Sequence, residues 1–177
     1  MIVKWPYTGK ICILDVEYTA WEGSQERNWQ EPWEHREIFQ IGAVLIDLDE
    51  GFKEIDHFDE LVIPTLNPFL SDYSTKLSSI TNKQLQKRGL TFKEAIELFS
   101  DFLGSGIPIL VNGYDGAVIR ENCWFNKLDR VLFNVQIYDI RPAIANILGL
   151  SLSQTISSEL PALLQIEESG IKHNGLN

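Results

Sequence analysis

The sequence has 177 residues and a formal net charge of -10 at neutral pH, with 44% hydrophobic and 23% charged residues. These values are those of one folded domain with a substantial core, and they exclude a disordered chain. The first residues lack the apolar core of a signal peptide and no apolar run approaches the roughly 18 residues of a membrane span, so we expect a cytoplasmic protein with no membrane partner. Cys12 and Cys123 are too few for a disulfide framework and are expected to be buried thiols.

The charge is distributed unevenly along the chain. Acidic residues are dense between Asp15 and Glu60, whereas the middle of the sequence is locally basic. The basic residues of the middle are Lys76, Lys83, Lys87, Arg88 and Lys93. They could face a phosphate backbone or form an ordinary solvated helical surface. An acidic protein does not hold long nucleic acid on a broad basic face, but it can grip a short terminus through metal ions.

The first predicted strand covers residues 10–17 and runs into two carboxylates. Asp15 and Glu17 are two residues apart, so their side chains share one face at the end of this strand. Adjacent carboxylates repel each other, and their oxygens suit a divalent cation such as Mg²⁺ or Mn²⁺. The alternative is that the two acids simply leave a buried strand for solvent, because a D-x-E triplet is common by chance.

The next segment, 18–36, has no clean periodicity and is predicted to be a long loop, which in a compact domain is usually functional. It contains Trp21, Trp29 and Trp33. Their rings could stack on a base or could pin the loop to the domain. Because the loop leaves the sheet directly after the two acids, we expect it to border the substrate cleft.

A nearly continuous apolar run at 37–47 predicts a central strand that is buried on both faces. A third strand is predicted at 56–64. The short connection between them contains Gly51, so the two strands are expected to form an antiparallel hairpin.

Helix-start signals dominate the middle of the chain. Ser71 is predicted to cap a short helix that ends at Leu77. Capping boxes, in which a Thr is followed three residues later by Gln or Glu, begin at Thr81 and Thr91. The helix after Thr91 is expected to run to Leu103.

A fourth strand is predicted at 107–111, after Gly104 and Gly106. These glycines do not indicate a dinucleotide site, because phosphate cradling requires a strand before the glycines and a helix after them. A helix is predicted at 117–128. Asp115 therefore stands between strand and helix, where it is either a helix cap or a third carboxylate of a site.

The last predicted elements are a strand at 133–138, a helix at 140–148 that Pro142 interrupts near its start, and a short helix from Ser158 to Glu167. The order of elements predicts an α/β fold with a mixed five-stranded sheet and helices packed on it.

If strands one and four are parallel neighbours in this sheet, Asp15, Glu17 and Asp115 meet at one edge, where open α/β sheets place their sites.

Several stretches, in this order and spacing, match one family pattern. They are Asp15-Val16-Glu17-Tyr18-Thr19 (D-x-E-x-T), the strand-like run 37–44, the landmarks at 62–64 (V-x-P), 70–71 (L-S) and 77–81 (L-[ST]-x-I-[ST]), Asn112-Gly113-Tyr114-Asp115, and His173-Asn174-Gly175-Leu176 (the start of H-x-x-L-x-D). Together they resemble the DEDDh 3′-to-5′ exonucleases, which have an RNase H-like fold. The resemblance covers nearly the whole chain.

The resemblance implies a two-metal hydrolase. Asp15, Glu17 and Asp115 would hold two Mg²⁺ or Mn²⁺ ions about 4 Å apart, and His173 would be the general base that activates water. The implied partner is the 3′ end of short single-stranded RNA or DNA. Substrate contacts are implied beside the acids, at Tyr18, Thr19, Trp21 and Asn112.

One part of the family pattern is missing from the sequence. The final aspartate of the family follows its histidine by five residues, which here would be position 178, one beyond Asn177. We therefore expect residues 1–177 to form a single exonuclease-like domain that lacks its C-terminal helix and fourth carboxylate, either truncated or degenerate. This form is expected to be nearly inactive.

Three functions stay open at this point. The first is a metal-dependent exonuclease. The second is a catalytically degenerate module that binds a nucleotide, an RNA end or a protein partner. The third, a purely structural metal site, leaves His173 without a role.

Overall fold

A computed structural model describes residues 6–128 and 135–166. The strands in these ranges are β1 (Lys10–Tyr18), β2 (Ile38–Asp47), β3 (Lys53–Leu61), β4 (Ile109–Val111) and β5 (Ile137–Asp139). They form one sheet in the order β3-β2-β1-β4-β5. β2 is antiparallel to β1 and β3, whereas β4 is parallel to β1 and β5. The predicted mixed sheet of five strands is confirmed.

Helices pack around this sheet. They are α1 (Ser24–Arg27), α2 (Asp72–Ser78), α3 (Asn82–Arg88), α4 (Phe92–Leu103), α5 (Asp115–Phe125), α6 (Arg141–Leu148) and α7 (Leu160–Leu164), with 3-10 turns at Leu152–Gln154 and Ser157–Glu159. Ser71, Thr81 and Thr91 cap their helices as predicted, because each side chain accepts a backbone N–H of the first turn. None of the helices in the described ranges is long and apolar enough to cross a membrane.

Several predicted boundaries are wrong. β3 was predicted at 56–64 but begins at Lys53 and ends at Leu61. Its pairing with β2 continues into the predicted connection as far as Lys53, opposite Asp47, with one irregularity between Leu45 and Ile46. Pro142 does not interrupt α6, since it lies in the first turn, where a missing N–H leaves no helical bond unmade. The last helix ends at Leu164, after which Gln165 takes a left-handed conformation with φ 56°.

The main core lies between the sheet and the helices α4 and α5. Its α4 members recur every three or four residues along one face of the helix, and they are Phe92, Ala95, Ile96, Phe99 and Leu103. Phe99 meets Phe58 of β3 edge to face, with ring centroids 5.3 Å apart. Cys12 and Cys123 are buried free thiols in this core, as predicted.

A β-bulge at Phe39 divides the core in two. Glu17 pairs with Gln40, but the next residue, Tyr18, pairs with Ile38, so Phe39 is an extra residue in β2. Phe39 packs into a second cluster with Leu61, with Leu70 and Ile80 on either side of α2, and with Leu85 of α3. The bulge therefore connects these two helices to the end of β1 that carries the predicted site.

A buried carboxylate fixes the loop between β3 and α2. Glu37 is only 1% exposed. Its two oxygens accept the backbone N–H groups of Thr65 at 2.6 Å, Leu66 at 2.7 Å and Asn67 at 2.5 Å, and also the Thr65 hydroxyl. Three N–H groups aimed at one carboxylate compensate for removing its charge from water.

We expect Glu37→Gln to lower the free energy of unfolding by about 2 kcal/mol, because hydrogen bonds to a charged group contribute about 1.5 to 3 kcal/mol and the amide NH₂ would face other donors. Urea denaturation measures this change. The matched control is Glu22→Gln at an exposed position, which should change stability by less than about 0.5 kcal/mol. Equal stability of the two variants would contradict the assignment.

Candidate active site

β1 presents two acids on one face. Asp15 lies opposite Gly42 and Glu17 opposite Gln40 in the antiparallel register with β2. The alternating residues Leu14 and Val16 point to the other face and belong to the main core. Asp15 and Glu17 are half-buried rather than solvated, so the interpretation that they simply leave the strand for solvent is wrong.

Asp115 reaches the same edge from α5. The parallel pairing of β1 with β4 places the end of β4, and hence the start of α5, beside β1. Asp115 is the first residue of the helix, whereas the cap position is Tyr114. Asp115 is 7% exposed, and its Oδ1 accepts the N–H of Val16 at 3.3 Å. Its carboxylate is therefore bound to the backbone between Asp15 and Glu17, and a helix cap does not explain it.

The three acids lie close enough for their charges to affect one another. Burial, together with the negative charges of Asp15 and Asp115, raises the pKa of Glu17 to about 8. Burial also raises the pKa of both Asp15 and Asp115 above the usual range of an aspartate, and the charge of Asp15 adds to the effect on Asp115. Buried like charges favour the protonated forms, so the ionised site is costly unless a cation is bound.

The donor set suits a hard divalent cation. Among the described residues, no group of three or more His, Cys, Asp or Glu side chains is placed so that it could hold a metal ion as it stands. The residues that would hold it are Asp15, Glu17 and Asp115, whose oxygens are the ligands that Mg²⁺ and Mn²⁺ prefer. Ligation by all three would require their side chains to turn toward a shared ion.

Arg141, which the sequence analysis missed, supports the Asp115 side of the site. Its guanidinium donates to the backbone oxygen of Asn112 at 2.5 Å and to the Asn112 Oδ1 at 3.2 Å. Its positive charge opposes the rise in the pKa of Asp115. Gly113 adopts φ +120°, a backbone conformation that favours glycine, and a Cβ there would also displace the Arg141 guanidinium, which would lie 2.1 Å away. The sequence signal that could have indicated Arg141 is a basic residue directly after the fifth strand, at the same end of the sheet as the acids.

The predicted substrate contact Asn112 is already engaged within the protein. Its amide nitrogen lies 3.2 Å from the carbonyl oxygen of Thr155 and 3.3 Å from the Ser157 hydroxyl, and it donates to both. Asn112 therefore ties the end of β4 to the 3-10 turns that follow α6. Its contact with substrate stays a prediction.

The loop after β1 is pinned by one of its tryptophans. The Trp29 ring nitrogen donates to the carbonyl of Thr19 at 3.0 Å, and its ring lies 5.5 Å from that of Tyr18. Thr19 is 1% exposed; its hydroxyl donates to the His35 carbonyl and accepts the Glu37 N–H at 3.0 Å. The pinning interpretation therefore holds for Trp29.

The other two tryptophans of this loop keep part of their side chains exposed. Trp21 is half-buried, and its backbone N–H donates to the Ser24 hydroxyl at 2.8 Å. Trp33 is 55% exposed. The roles predicted for Tyr18, Thr19 and Trp21 in substrate binding stay predictions. The predicted base, His173, lies outside the described residues.

The sheet topology and the acids at its edge define a class: hydrolases of the RNase H-like fold whose site is a set of carboxylates. The RNase T exonuclease family model matches residues 12–173. The chain superposes on the nuclease domain of 3′hExo, a DEDDh family member bound to rAMP, with a TM-score of 0.82 and 26% identity, covering 96% of this chain and 86% of that one. The chain belongs to the DEDDh 3′-to-5′ exonuclease family.

Curated relatives agree with this assignment. The 3′-5′ exonuclease Snipper of Drosophila melanogaster is 34% identical over 98 residues, which is 55% of this chain and 32% of that protein. The 3′-5′ exoribonuclease 1 of Homo sapiens is 26% identical over 182 residues, which is 97% of this chain and 49% of that protein. The chain thus spans about a third to a half of the length of these two relatives.

The raised pKa of Glu17 predicts that the metal-free protein becomes less stable as the pH rises. The pKa of Glu17 is about 8 in the folded state, against a usual value of 4.5. Between these values only the folded state binds the proton, so the free energy of unfolding falls from about pH 5 to pH 8. Glu17→Gln should flatten this dependence in part, since Asp15 and Asp115 shift in the same direction.

Melting temperatures in EDTA at pH 5, 6, 7 and 8 provide the measurement, and each kcal/mol corresponds to about 2 to 4 °C for a chain of this size. Glu22→Gln, at an exposed position, is the matched control and should follow the wild-type slope. The interpretation fails if Glu17→Gln and the wild type lose stability equally over this range.

Proposed function

We propose that this chain is a metal-dependent exonuclease that hydrolyses phosphodiester bonds at the 3′ end of single-stranded nucleic acid. The observation that carries the proposal is the binding of the Asp115 carboxylate to the β1 backbone at Val16, between Asp15 and Glu17. It brings acids from two elements to one buried edge. Membership of the DEDDh family supports the same reaction.

The residues of the chain would prepare the site in three ways. Asp15, Glu17 and Asp115 would hold the cations, and their burial excludes the water that would otherwise screen them. The Val16 N–H holds the Asp115 carboxylate, and the positive charge of Arg141 favours its ionised form. When bound, Mg²⁺ or Mn²⁺ supplies Lewis-acid stabilisation of the phosphoryl oxygens. His173 is the proposed general base, which takes a proton from the attacking water.

RNA is the favoured substrate. The human relative is named an exoribonuclease, and the solved nuclease domain of 3′hExo was bound to the ribonucleotide rAMP. Trp21, four residues after Glu17 along the chain, is half-buried and is the aromatic side chain that we propose as a stacking partner for a base of either RNA or DNA.

Neutralising any one of the three acids should abolish hydrolysis. Asp15→Asn, Glu17→Gln and Asp115→Asn keep the side-chain shape but remove the charge that holds the cation, and each should lower the rate at least about a hundredfold. A 5′-labelled oligoribonucleotide incubated with Mg²⁺ or Mn²⁺ should give a ladder that shortens from the 3′ end in the wild type only.

The control for this experiment is Asp101→Asn, at an exposed position of α4, which should keep wild-type activity. Millimolar Mg²⁺ or Mn²⁺ should also raise the melting temperature of the wild type but not of Asp15→Asn. Hydrolysis that persists in all three acid variants would disprove the assignment. Oligonucleotide binding by a wild type that never hydrolyses would support a catalytically degenerate module.

A separate prediction concerns Trp21. If its ring stacks on a base, Trp21→Ala should weaken binding of an oligonucleotide by about 1 to 3 kcal/mol while the protein stays folded. The matched control is Trp124→Ala, because Trp124 is 76% exposed near the far end of α5. Fluorescence anisotropy with a labelled oligonucleotide measures both. Loss of folding would assign Trp21 to the core, and equal affinity of a folded Trp21→Ala and the wild type would contradict stacking.

A further inference from the structure

The helices α2 and α3 expose a group of unpaired cations. We call this group the α2–α3 basic strip: Lys76, Lys83, Lys87 and Arg88. All four side chains are exposed, and the ion pairs found in residues 6–128 and 135–166 involve none of them. Between residues 71 and 90 the only acid is Asp72. The strip is thus a locally positive surface on a chain whose net charge is -10.

The stability of α3 does not account for Lys83. This lysine is the second residue of α3, next to the positive end of the helix dipole, and the first turn of α3 contains no acid. Lys87 follows it by four residues on the same helix face, which is an unfavourable like-charge spacing. Lys87 and Arg88 lie in the last turn, where the dipole favours cations. Lys83 has no such compensation within the helix.

Hydrogen bonds connect the start of α3 to the segment that leaves β1 just after the acids. Asn82, which precedes Lys83, accepts the N–H of Leu70 at 2.7 Å through its Oδ1. The neighbouring Ser71 donates its hydroxyl to the carbonyl of Ala20 at 2.5 Å. Ala20 follows Glu17 by three residues along the chain. α3 therefore begins two hydrogen bonds away from the exit of β1.

When Asp15, Glu17 and Asp115 are ionised, their negative charges repel the phosphates of a nucleic-acid strand. A strand that enters the site needs a compensating attraction outside the carboxylates, and the cations of the strip would provide it. We propose that the α2–α3 basic strip binds the phosphodiester backbone of nucleotides upstream of the 3′-terminal one. This inference rests on the proposed function, which supplies the single strand.

The test compares a long and a short strand in EDTA, where no hydrolysis occurs. Fluorescence anisotropy measures the affinity for 5′-labelled U₁₂ and U₃ in wild type and in Lys83→Gln/Lys87→Gln. Two lost phosphate contacts should weaken U₁₂ binding about 10- to 30-fold at 0.1 M salt and make the slope of log affinity against log salt shallower by about 1.4. Binding of U₃ should change less than about twofold. The strand dT₁₂ should behave like U₁₂, because the strip contacts phosphates and not sugars or bases.

Two further variants make the result specific. Lys10→Gln/Lys53→Gln removes two exposed lysines at the opposite end of the strands, where Lys10 of β1 and Lys53 of β3 are both in register with Asp47 of β2 and Lys53 also forms an exposed ion pair with Glu50, and should leave U₁₂ binding and its salt slope unchanged. Lys83→Arg/Lys87→Arg keeps both charges and should retain wild-type affinity. Melting temperatures of all variants should match the wild type, since the side chains are exposed.

The inference is overturned if Lys83→Gln/Lys87→Gln binds U₁₂ with wild-type affinity and slope, if Lys10→Gln/Lys53→Gln loses as much, or if the wild type binds U₁₂ no better than U₃. The proposed function is judged separately, by hydrolysis of U₃ with Mn²⁺. If mutation of the strip weakens U₁₂ binding but the wild type hydrolyses no U₃, the strip proposal stands and the exonuclease proposal is refuted. If the wild type hydrolyses U₃ but mutation of the strip leaves U₁₂ binding unchanged, the exonuclease proposal stands and the strip proposal is refuted.

Discussion

The parallel pairing of β1 with β4 is the constraint on which the rest of the site depends. Only two residue pairs join these strands, Cys12 with Ile109 and Ile13 with Leu110, yet this contact brings the start of α5 beside the end of β1. Asp115 then completes the junction by accepting the Val16 N–H. A chain segment about 100 residues away in sequence is thereby fixed against the first strand. The acids depend on sheet pairing for their placement, and not on a local motif.

Concentrating these acids at one buried end of the sheet opposes folding. Each carboxyl would be more stable in water, and burial shifts the pKa of all three upward. The surrounding core provides the compensation, because α4 and α5 pack a continuous apolar layer against the opposite face of β1. The two faces of β1 therefore differ in their effect on stability. The face with Leu14 and Val16 stabilises the fold through apolar packing, whereas the carboxylates on the other face repel one another unless a cation is bound.

Local rules predicted much of this molecule, and contacts between distant segments account for what was missed. The alternation of β1 placed Asp15 and Glu17 together, and the capping boxes at Thr81 and Thr91 were correct because their bonds span three residues. The sequence left Asp115 between cap and site, since its partner Val16 is 99 residues away. Arg141 was missed for the same reason: its contacts with Asn112 cross 29 residues. The end of β3 was misplaced because pairing with β2, and not propensity, sets it.

The bulge at Phe39 has a consequence for how this sequence can change its length. Phe39 is the extra residue that lets Gln40 stay opposite Glu17 while Ile38 pairs with Tyr18. Deleting one residue between Glu37 and Gln40 would shift the start of β2 by one position and turn its side chains to the wrong faces, which would detach α2 and α3 from their cluster. The hairpin turn between β2 and β3 lies at the other end of the sheet, and the length of this turn does not set the pairing at the bulge. Insertions and deletions among homologous sequences should therefore accumulate in that turn and avoid the three residues after Glu37.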